Sequence, residues 1–227
     1  AVNHDLSVPI YLIPEYSEFV RLLEGQPSGL AVPAEKLTVF NGFAGRSATR
    51  ASEQIAQLTG LKTDVSVSQL RFLSFSDMSA EVGDGTYVSV VFELTGIPSG
   101  YFVAMFTEDS AERVADAMTP GGVGSDDDSM MKAAIKELGN IITSGFIDGW
   151  ANTLHSSIEH TPPEFIRDTG SSVIRTVQRR LSKDQEYAFT VDTTIEIANR
   201  EAEAQLYVLP DTRELAEALS ALPTDQK

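Results

Sequence analysis

The chain has 227 residues, of which 33 are acidic and 17 are basic, and its formal net charge is -16. This excess of acid disfavours binding to nucleic acid or to an anionic membrane, because both require a surface rich in lysine and arginine. The absence of cysteine excludes disulfides, thiolate zinc sites and cysteine nucleophiles. No apolar run approaches the roughly 20 residues that span a bilayer. Composition therefore predicts a soluble, cytoplasmic protein, whose charge would suit a salt-rich cytosol.

The first half of the chain predicts helices followed by strands. After a mixed lead-in at residues 1–14, apolar side chains at helical spacing predict helices over Glu15–Leu23 and Ala34–Leu58. Alternating apolar and polar side chains then predict a strand over Asp64–Phe75. Two further strands and a short acidic helix complete this half: Tyr87–Leu94, Tyr101–Phe106 and Ser110–Met118.

The second half follows a linker rich in glycine, Thr119–Ser125, which has the composition of a connecting segment. Its predicted elements, in chain order, are a long helix from Asp126 to about Ser157, strands over Phe165–Ile174, Tyr187–Ala198 and Ala202–Leu209, and a helix over Asp211–Ala221. A short tail, residues 222–227, ends the chain. The order of helix and strands thus repeats that of the first half.

This repetition suggests an internal duplication. An offset of 101 residues sets Ala115–Met118 against Ala216–Leu219, and an offset of 95 residues sets Val67 against Pro162. The sequence therefore predicts one α/β (α+β) domain over residues 15–221. In it, two pseudo-symmetric halves, about 34–118 and 126–221, each add a helix and three strands to a central sheet flanked by long helices.

The long helix of the second half has one apolar face and one polar face. At about 100° per residue, an apolar stripe is expected to face the core. Its members are Met131, Ile135, Leu138, Ile142, Phe146, Gly149 and Thr153. The opposite face carries Glu137 and Asn140 together with Ala133, Ser144 and Asp148, and Ile141 and Ile147 flank the Glu–Asn pair. Such a face suits either a docking surface or ordinary solvation.

Glycines interrupt this helix at Gly139, Gly145 and Gly149. Each costs roughly 1 kcal/mol relative to alanine in a helix interior, so they predict close approach of another element. Gly139 is also expected to leave the surface beside Glu137 and Asn140 uncluttered.

The spacing of the polar pair and a later proline identifies a family resemblance. Asn140 is separated from Pro163 by 22 residues, which gives the pattern Glu137-x2-Asn140-x22-Pro163. The segments 136–143 and 161–164 resemble the CheC-type phosphatases of chemotaxis (CheC, CheX and FliY), whose motif is Asp/Ser-x3-Glu-x2-Asn-x22-Pro. The likeness extends over roughly 34–221, and the acidic composition resembles that of a halophilic archaeal member. The motif's first position is occupied by Ala133, which departs from the family pattern.

The resemblance implies a phosphatase that hydrolyses the aspartyl phosphate of a CheY-type response regulator. In that reading Asn140 holds the attacking water, Glu137 anchors a lysine of the regulator, and Pro163 fixes the backbone after the helix. Residues of the same helix would bind the partner: Ile141, Ser144, Ile147 and Asp148. No cofactor or metal of its own is expected, and the Mg²⁺ would belong to the regulator.

The first half is expected to lack a second site, because Gly42 and Gly45 occupy the positions equivalent to Glu137 and Asn140. Two alternatives remain open. One is a non-catalytic adaptor on the same fold that binds CheD or belongs with the flagellar switch proteins. The other is an unrelated acidic α/β enzyme, since fold alone does not fix function.

Other candidate residues favour structural roles. Asp126, Asp127 and Asp128 suit the N-terminal end of a helix better than a cation site. His155 and His160 have no third ligand at a matching spacing, so a metal site is disfavoured. Trp150 borders the apolar stripe and is expected to pack in the core.

Overall fold

The structure is a computed structural model, and it describes residues 48–57, 60–119, 128–181, 187–197 and 200–221. Its elements in chain order are α1 (48–57), β1 (Thr63–Ser74), α2 (Phe75–Val82), β2 (Thr86–Gly96), β3 (Gly100–Thr107), α3 (Glu108–Met118), α4 (Asp128–Leu154), β4 (Ile158–His160), β5 (Glu164–Thr169), α5 (Gly170–Gln178), β6 (Tyr187–Ile197), β7 (Arg200–Pro210) and α6 (Thr212–Ala221). The helix predicted over Glu15–Leu23, residues 34–47, most of the linker and both chain ends lie outside the described residues.

The strands form one antiparallel sheet in which the two halves interlock. The order is β1-β6-β7-β3-β2, and β2 carries both β4 and β5 on its other side. At the centre, β3 of the first half pairs with β7 of the second. On one side of this pair, β1 of the first half pairs with β6 of the second. On the other side, β4 and β5 of the second half pair with β2 of the first. The predicted mixed fold with a shared central sheet is confirmed.

Both predicted offsets reappear in the element boundaries. Displacing β2 by 101 residues gives the limits of β6, and displacing β1 by 95 residues gives the span from the start of β4 to the end of β5. The two halves therefore have the same order of strands, which confirms their pseudo-symmetry.

Each face of the sheet carries its own apolar cluster, because successive side chains of a strand point to opposite faces. On β2, Val90 and Phe92 belong to the cluster that includes α1, α3, α4 and α6, whereas Val91 belongs to the cluster that includes α2 and α5. Both clusters draw residues from both halves, so the protein is not divided into separate cores at the linker.

The predicted strand over Phe165–Ile174 is wrong in its second part, because β5 ends at Thr169 and α5 begins at Gly170. The buried residues Val173, Ile174 and Val177 follow helical spacing. Asp168 accepts hydrogen bonds from Thr169 N at 2.7 Å and from Ser172 Oγ at 2.7 Å, which favours a turn into the helix.

The sequence interpretation also missed α2 and β4. Helix α2 begins immediately after β1, and Ser74 Oγ caps it by accepting a hydrogen bond from Asp77 N at 3.1 Å. Strand β4 follows α4, which ends at Leu154 and not near Ser157 as predicted. Within the described ranges, no helix is both long and apolar enough to cross a membrane.

Candidate functional site

Helix α4 is buried around most of its circumference. The predicted core residues Met131, Ile135, Leu138, Ile142 and Phe146 are buried, and so is Trp150. Gly149 and Thr153, expected on the same stripe, are half-buried. From 133 to 148, α4 reaches the surface along a narrow line, here called the exposed line of α4, with the half-buried Lys136 beside it. Its members are Ala133, Glu137 and Asp148, which are exposed, and Asn140 and Ser144, which are half-buried.

The two isoleucines expected to flank the Glu–Asn pair do not lie on the surface. Ile141 is 8% exposed and Ile147 is 5% exposed, and both belong to the main apolar cluster. The expectation that they supply an apolar docking rim is wrong, because the neighbouring elements cover the helix further round than its periodicity indicates.

Gly139 faces the sheet and not the surface beside the pair. A Cβ at this position would overlap the Val90 side chain and lie 3.5 Å from Phe92 Cε2. The predicted close approach of another element is confirmed at Gly139, and the expectation that it clears the surface is wrong. The glycine lets α4 pack closely on β2, and this packing sets the distance between the exposed line and the sheet.

The side chains of Glu137 and Asn140 are one turn apart on the exposed line, so they project from the same side of α4. Among the described residues, no side chain or backbone group forms a hydrogen bond or ion pair with the Glu137 carboxylate or the Asn140 side-chain amide. Both groups are therefore available to a second molecule.

Next to Asn140, a histidine contacts the exposed line of α4. Ser144 Oγ donates a hydrogen bond to the Asn140 backbone carbonyl at 2.8 Å and lies 3.1 Å from His160 Nε2. The other ring nitrogen, Nδ1, lies 3.0 Å from the Thr161 carbonyl oxygen. The ring packs edge-on against Phe92 with its centroid 5.1 Å away. Sequence reasoning weighed His160 only as a metal ligand and missed this contact.

Pro163 belongs to a bulge in the strand beside α4. Leu94 pairs with His160 and Val91 pairs with Glu164, so two residues of β2 oppose three residues between β4 and β5. Two of those three, Pro162 and Pro163, have no N–H to donate to β2, which suits them to an irregular position on an edge strand. The extra residue reverses the alternation of side chains.

The bulge brings residues on both sides of it to the α4 side of the sheet. His160 contacts Ser144, and Phe165 packs against the apolar cluster that contains α4. Lys132 Nζ of α4 lies 5.3 Å from the Phe165 ring centroid, an arrangement typical of a cation–π contact. In a regular strand, side chains five positions apart face opposite sides, so these two share a side because the bulge takes up one residue.

Ion pairs hold both ends of the exposed line. At the N-terminal end, Arg167 Nη1 of β5 donates to Asp128 Oδ1 at 2.9 Å, and Arg167 Nε donates to Glu108 Oε1 at 2.8 Å. The hydrogen bond with Glu108 raises the pKa of Arg167. At the other end, Arg50 Nη1 of α1 lies 3.4 Å from Asp148 Oδ2. These exposed pairs orient α4 more than they stabilise it.

In the described part of the chain, no three histidine, aspartate or glutamate side chains are grouped closely enough to hold a metal ion. Asp126 and Asp127 lie outside that part.

The interlocked halves and the long motif-bearing helix define the CheC-like fold. Thermotoga maritima FliY matches with a TM-score of 0.67 at 16% identity, covering 83% of this chain and 96% of that chain. The FliM middle domain from H. pylori matches with a TM-score of 0.58 at 11% identity, covering 84% of this chain and 100% of that chain. At such identities these likenesses establish the fold alone.

Sequence comparison identifies the family. A family model described as "Chemotaxis phosphatase CheX" matches residues 88–199. The "Putative CheY-P phosphatase CheC1" of Halobacterium salinarum is 30% identical over 194 residues, which cover 84% of this chain and 98% of that protein. The "CheY-P phosphatase CheC" of Bacillus subtilis is 25% identical over 194 residues, which cover 79% and 90%. The chain belongs to the CheC/CheX chemotaxis phosphatase family, which confirms the resemblance.

Proposed function

We propose that this protein is a phosphatase that hydrolyses the aspartyl phosphate of a CheY-type response regulator through Glu137 and Asn140. The observation that carries the proposal is the availability of both side chains. They project together from the exposed line of α4, and no described residue pairs with either functional group. The two curated relatives are named for action on phosphorylated CheY, which supports this substrate class.

The residue types suit the reaction. An aspartyl phosphate is an acyl phosphate, and phosphoryl transfer mainly requires a nucleophile in line with the leaving group and stabilisation of negative charge. The Asn140 amide can accept a hydrogen bond from a water and donate one to it without adding charge beside the phosphoryl oxygens. Holding the water in line contributes on the order of several kcal/mol to lowering the barrier.

Glu137 is proposed as an anchor. Its carboxylate would pair with a lysine of the regulator, one turn of α4 from the amide that holds the water. No metal ligand is assigned to this chain, and the Mg²⁺ that offsets phosphoryl charge is proposed to be the regulator's own. In this proposal, Glu137 orients the regulator and Asn140 positions the attacking water.

The packing of α4 supports this division of roles. The helix is buried on both flanks of the exposed line, and Gly139 seats it closely on β2. The backbone that carries the pair is therefore positioned before the partner arrives, so that ordering in the complex concerns mainly the two side chains.

The test is the decay of a phosphorylated CheY-type regulator with and without this protein. Wild type should accelerate phosphate release. Glu217→Gln, a change of an exposed acid on α6, should leave the rate unaltered and serves as the matched control. A regulator that binds but decays at its own rate in the presence of wild type would contradict the proposal.

A second candidate function is a non-catalytic adaptor that binds CheD or a flagellar switch component. Ala133 favours it, because this residue lies exposed on the same line one turn before Glu137 and lacks the side chain that the motif places there. For an adaptor, capture of CheD or of a switch protein should occur, and no phosphate release should accompany any regulator tested.

A further inference from the structure

The imidazole of His160 has a possible hydrogen-bond partner at each ring nitrogen. Nδ1 lies 3.0 Å from the Thr161 carbonyl oxygen. A carbonyl oxygen only accepts hydrogen bonds, so Nδ1 donates to it whenever this nitrogen carries a proton. The second nitrogen, Nε2, is left to face Ser144 Oγ at 3.1 Å.

The Ser144 hydroxyl connects this ring to Asn140. A hydroxyl has one proton and can also accept. When it donates to the Asn140 carbonyl at 2.8 Å, it can accept from a protonated Nε2. When it turns to an unprotonated Nε2, the Asn140 carbonyl loses that hydrogen bond. His160, Ser144 and the Asn140 peptide group therefore form one continuous chain of hydrogen bonds when Nε2 donates to Ser144 Oγ and the hydroxyl donates to the Asn140 carbonyl.

The fold itself does not require a histidine at this position. His160 is the third residue of β4, and the offset of 95 residues places Val65, the third residue of β1, at the equivalent position. Val65 is buried, and its backbone N donates to Ser52 Oγ at 2.7 Å. In the first half, which lacks the Glu–Asn pair, the strand thus contacts its helix through a backbone N–H, whereas in the second half it does so through a histidine side chain.

We propose that His160 and Ser144 are positioning residues for Asn140. Ser144 bonds the carbonyl of the residue that carries the reactive amide, and such back-bonding adjusts the local tilt of a helix. His160 fixes the Ser144 hydroxyl and so acts on Asn140 through it. This inference rests on the proposed phosphatase function, and it concerns the rate at which the bound regulator reacts.

Three variants separate positioning from simple support of the fold. His160→Val introduces the side chain that the first half accommodates, and Ser144→Ala removes the hydroxyl from the helix surface. Each should lower kcat about tenfold, as expected for a small misplacement of a reacting group, and leave KM for the phosphorylated regulator within about twofold. His160→Gln retains an N–H donor near the Nε2 position and should restore at least about half of kcat.

The matched control is Thr49→Ala, because Thr49 of α1 is the equivalent of Ser144 in the first half. It should leave kcat and KM unaltered. A folded His160→Val variant with wild-type kcat would overturn the proposal. So would a rise in KM at constant kcat, because that result would make His160 a contact for the regulator.

A measurement without the regulator tests the same chain of hydrogen bonds. The carbonyl carbon-13 shift of Asn140 should move in His160→Val and in Ser144→Ala, and should not move in Thr49→Ala. An unmoved shift in both site variants would contradict the proposal even if activity fell. Absence of phosphate release by wild type would reject the phosphatase function and this role together, whereas an active wild type and an equally active His160→Val would reject the positioning role alone.

Discussion

The Glu137 carboxylate and the Asn140 amide project from the same side of α4, but they should act at different stages of one reaction. The proposed ion pair of Glu137 would form when the regulator binds, whereas the proposed hydrogen bond from Asn140 to the attacking water would strengthen in the transition state. The two residues are therefore separable by experiment.

The first prediction concerns this separation. Asn140→Ala should remove most of the acceleration of phosphate release and leave regulator binding largely intact. Glu137→Ala should weaken binding as well as the rate, because the anchor is lost. Release rates and pull-downs of both variants should be run beside wild type. Full activity of Asn140→Ala would reject the assignment of the water to Asn140, while capture that survives both changes without any release would favour the adaptor.

Neither change should unfold the protein, since Glu137 is exposed and Asn140 is half-buried. Comparable far-UV circular dichroism and midpoints of thermal unfolding for both variants would show that any loss of activity is local.

The second prediction concerns an ion pair on the opposite face of the sheet. Arg180 Nη1 lies 2.6 Å from Glu164 Oε2, and Nη2 donates to Oε1 at 3.0 Å. The hydrogen bond from Arg180 lowers the pKa of Glu164 below the ordinary value of 4.5. The pair's contribution to stability is therefore fully present above about pH 4.5 and is lost as the pH falls through the lowered pKa of the folded state.

Arg180→Gln should accordingly reduce the free energy of unfolding at pH 7 by less than about 1 kcal/mol, because the pair is partly exposed. Urea unfolding at pH 7 and at pH 3.5 is the measurement, and the difference from wild type should shrink at the lower pH. In a Glu164→Gln background the same substitution should have little effect. A difference that grows as the pH falls would contradict the assignment.

At the scale of the element, α4 combines a buried body with a narrow exposed line. The third prediction tests the close packing that sets the depth of this line. Gly139→Ala gains about 1 kcal/mol in helix propensity, but its Cβ would overlap Val90 on β2. Overpacking of this kind costs about 1–3 kcal/mol, so the variant should have a lower free energy of unfolding than wild type.

Val90→Ala supplies the matched background for that test. Removing the Val90 methyl groups makes room for the added Cβ, so Gly139→Ala should be less destabilising there than in the wild-type chain. Chemical unfolding of the four proteins gives the interaction energy. Equal effects in the two backgrounds would mean that α4 does not rest on Val90 as described.

For the whole molecule, the two halves share a fold but not the candidate catalytic residues. The halves share a strand order, but the equivalents of Glu137 and Asn140 are Gly42 and Gly45, which lie outside the described residues. The fourth prediction is that Gly42→Ala combined with Gly45→Ala leaves phosphatase activity nearly unaltered, because neither glycine supplies a functional side chain. Loss of most activity in a folded double variant would assign catalysis to the first half too.

The fifth prediction follows from the interlocked sheet. Within the second half, β6 and β7 pair with each other. Among the strands that the structure describes, β4 and β5 pair only with β2, and β6 also pairs with β1. A fragment of residues 126–221 should therefore not fold alone, because the strand edges and one side of each apolar cluster would be exposed. Dispersed amide signals in its nitrogen-15 NMR spectrum would contradict this.

Local patterns in the sequence determined much of this protein. Alternation and helical spacing located β1, β2, β3, β6, β7 and the long helix, and repetition of the same signals at offsets of 95 and 101 residues predicted the duplicated halves. The resemblance to the CheC-type phosphatases, carried by Glu137-x2-Asn140-x22-Pro163, indicated the candidate site. The alternation and the helical spacing depend on side chains near one another in the chain, where periodicity is informative.

Only the tertiary structure decided which parts of those elements reach the surface. Ile141 and Ile147 are buried and Gly139 meets β2 because neighbouring elements cover α4, and the period of one helix carries no information about its neighbours. The contact between Ser144 and His160 depends on the pairing of His160 with Leu94 of β2, whose side chain belongs to the apolar cluster that contains α4. Such contacts join residues through the sheet, so their geometry is fixed by packing between elements and not by any local pattern.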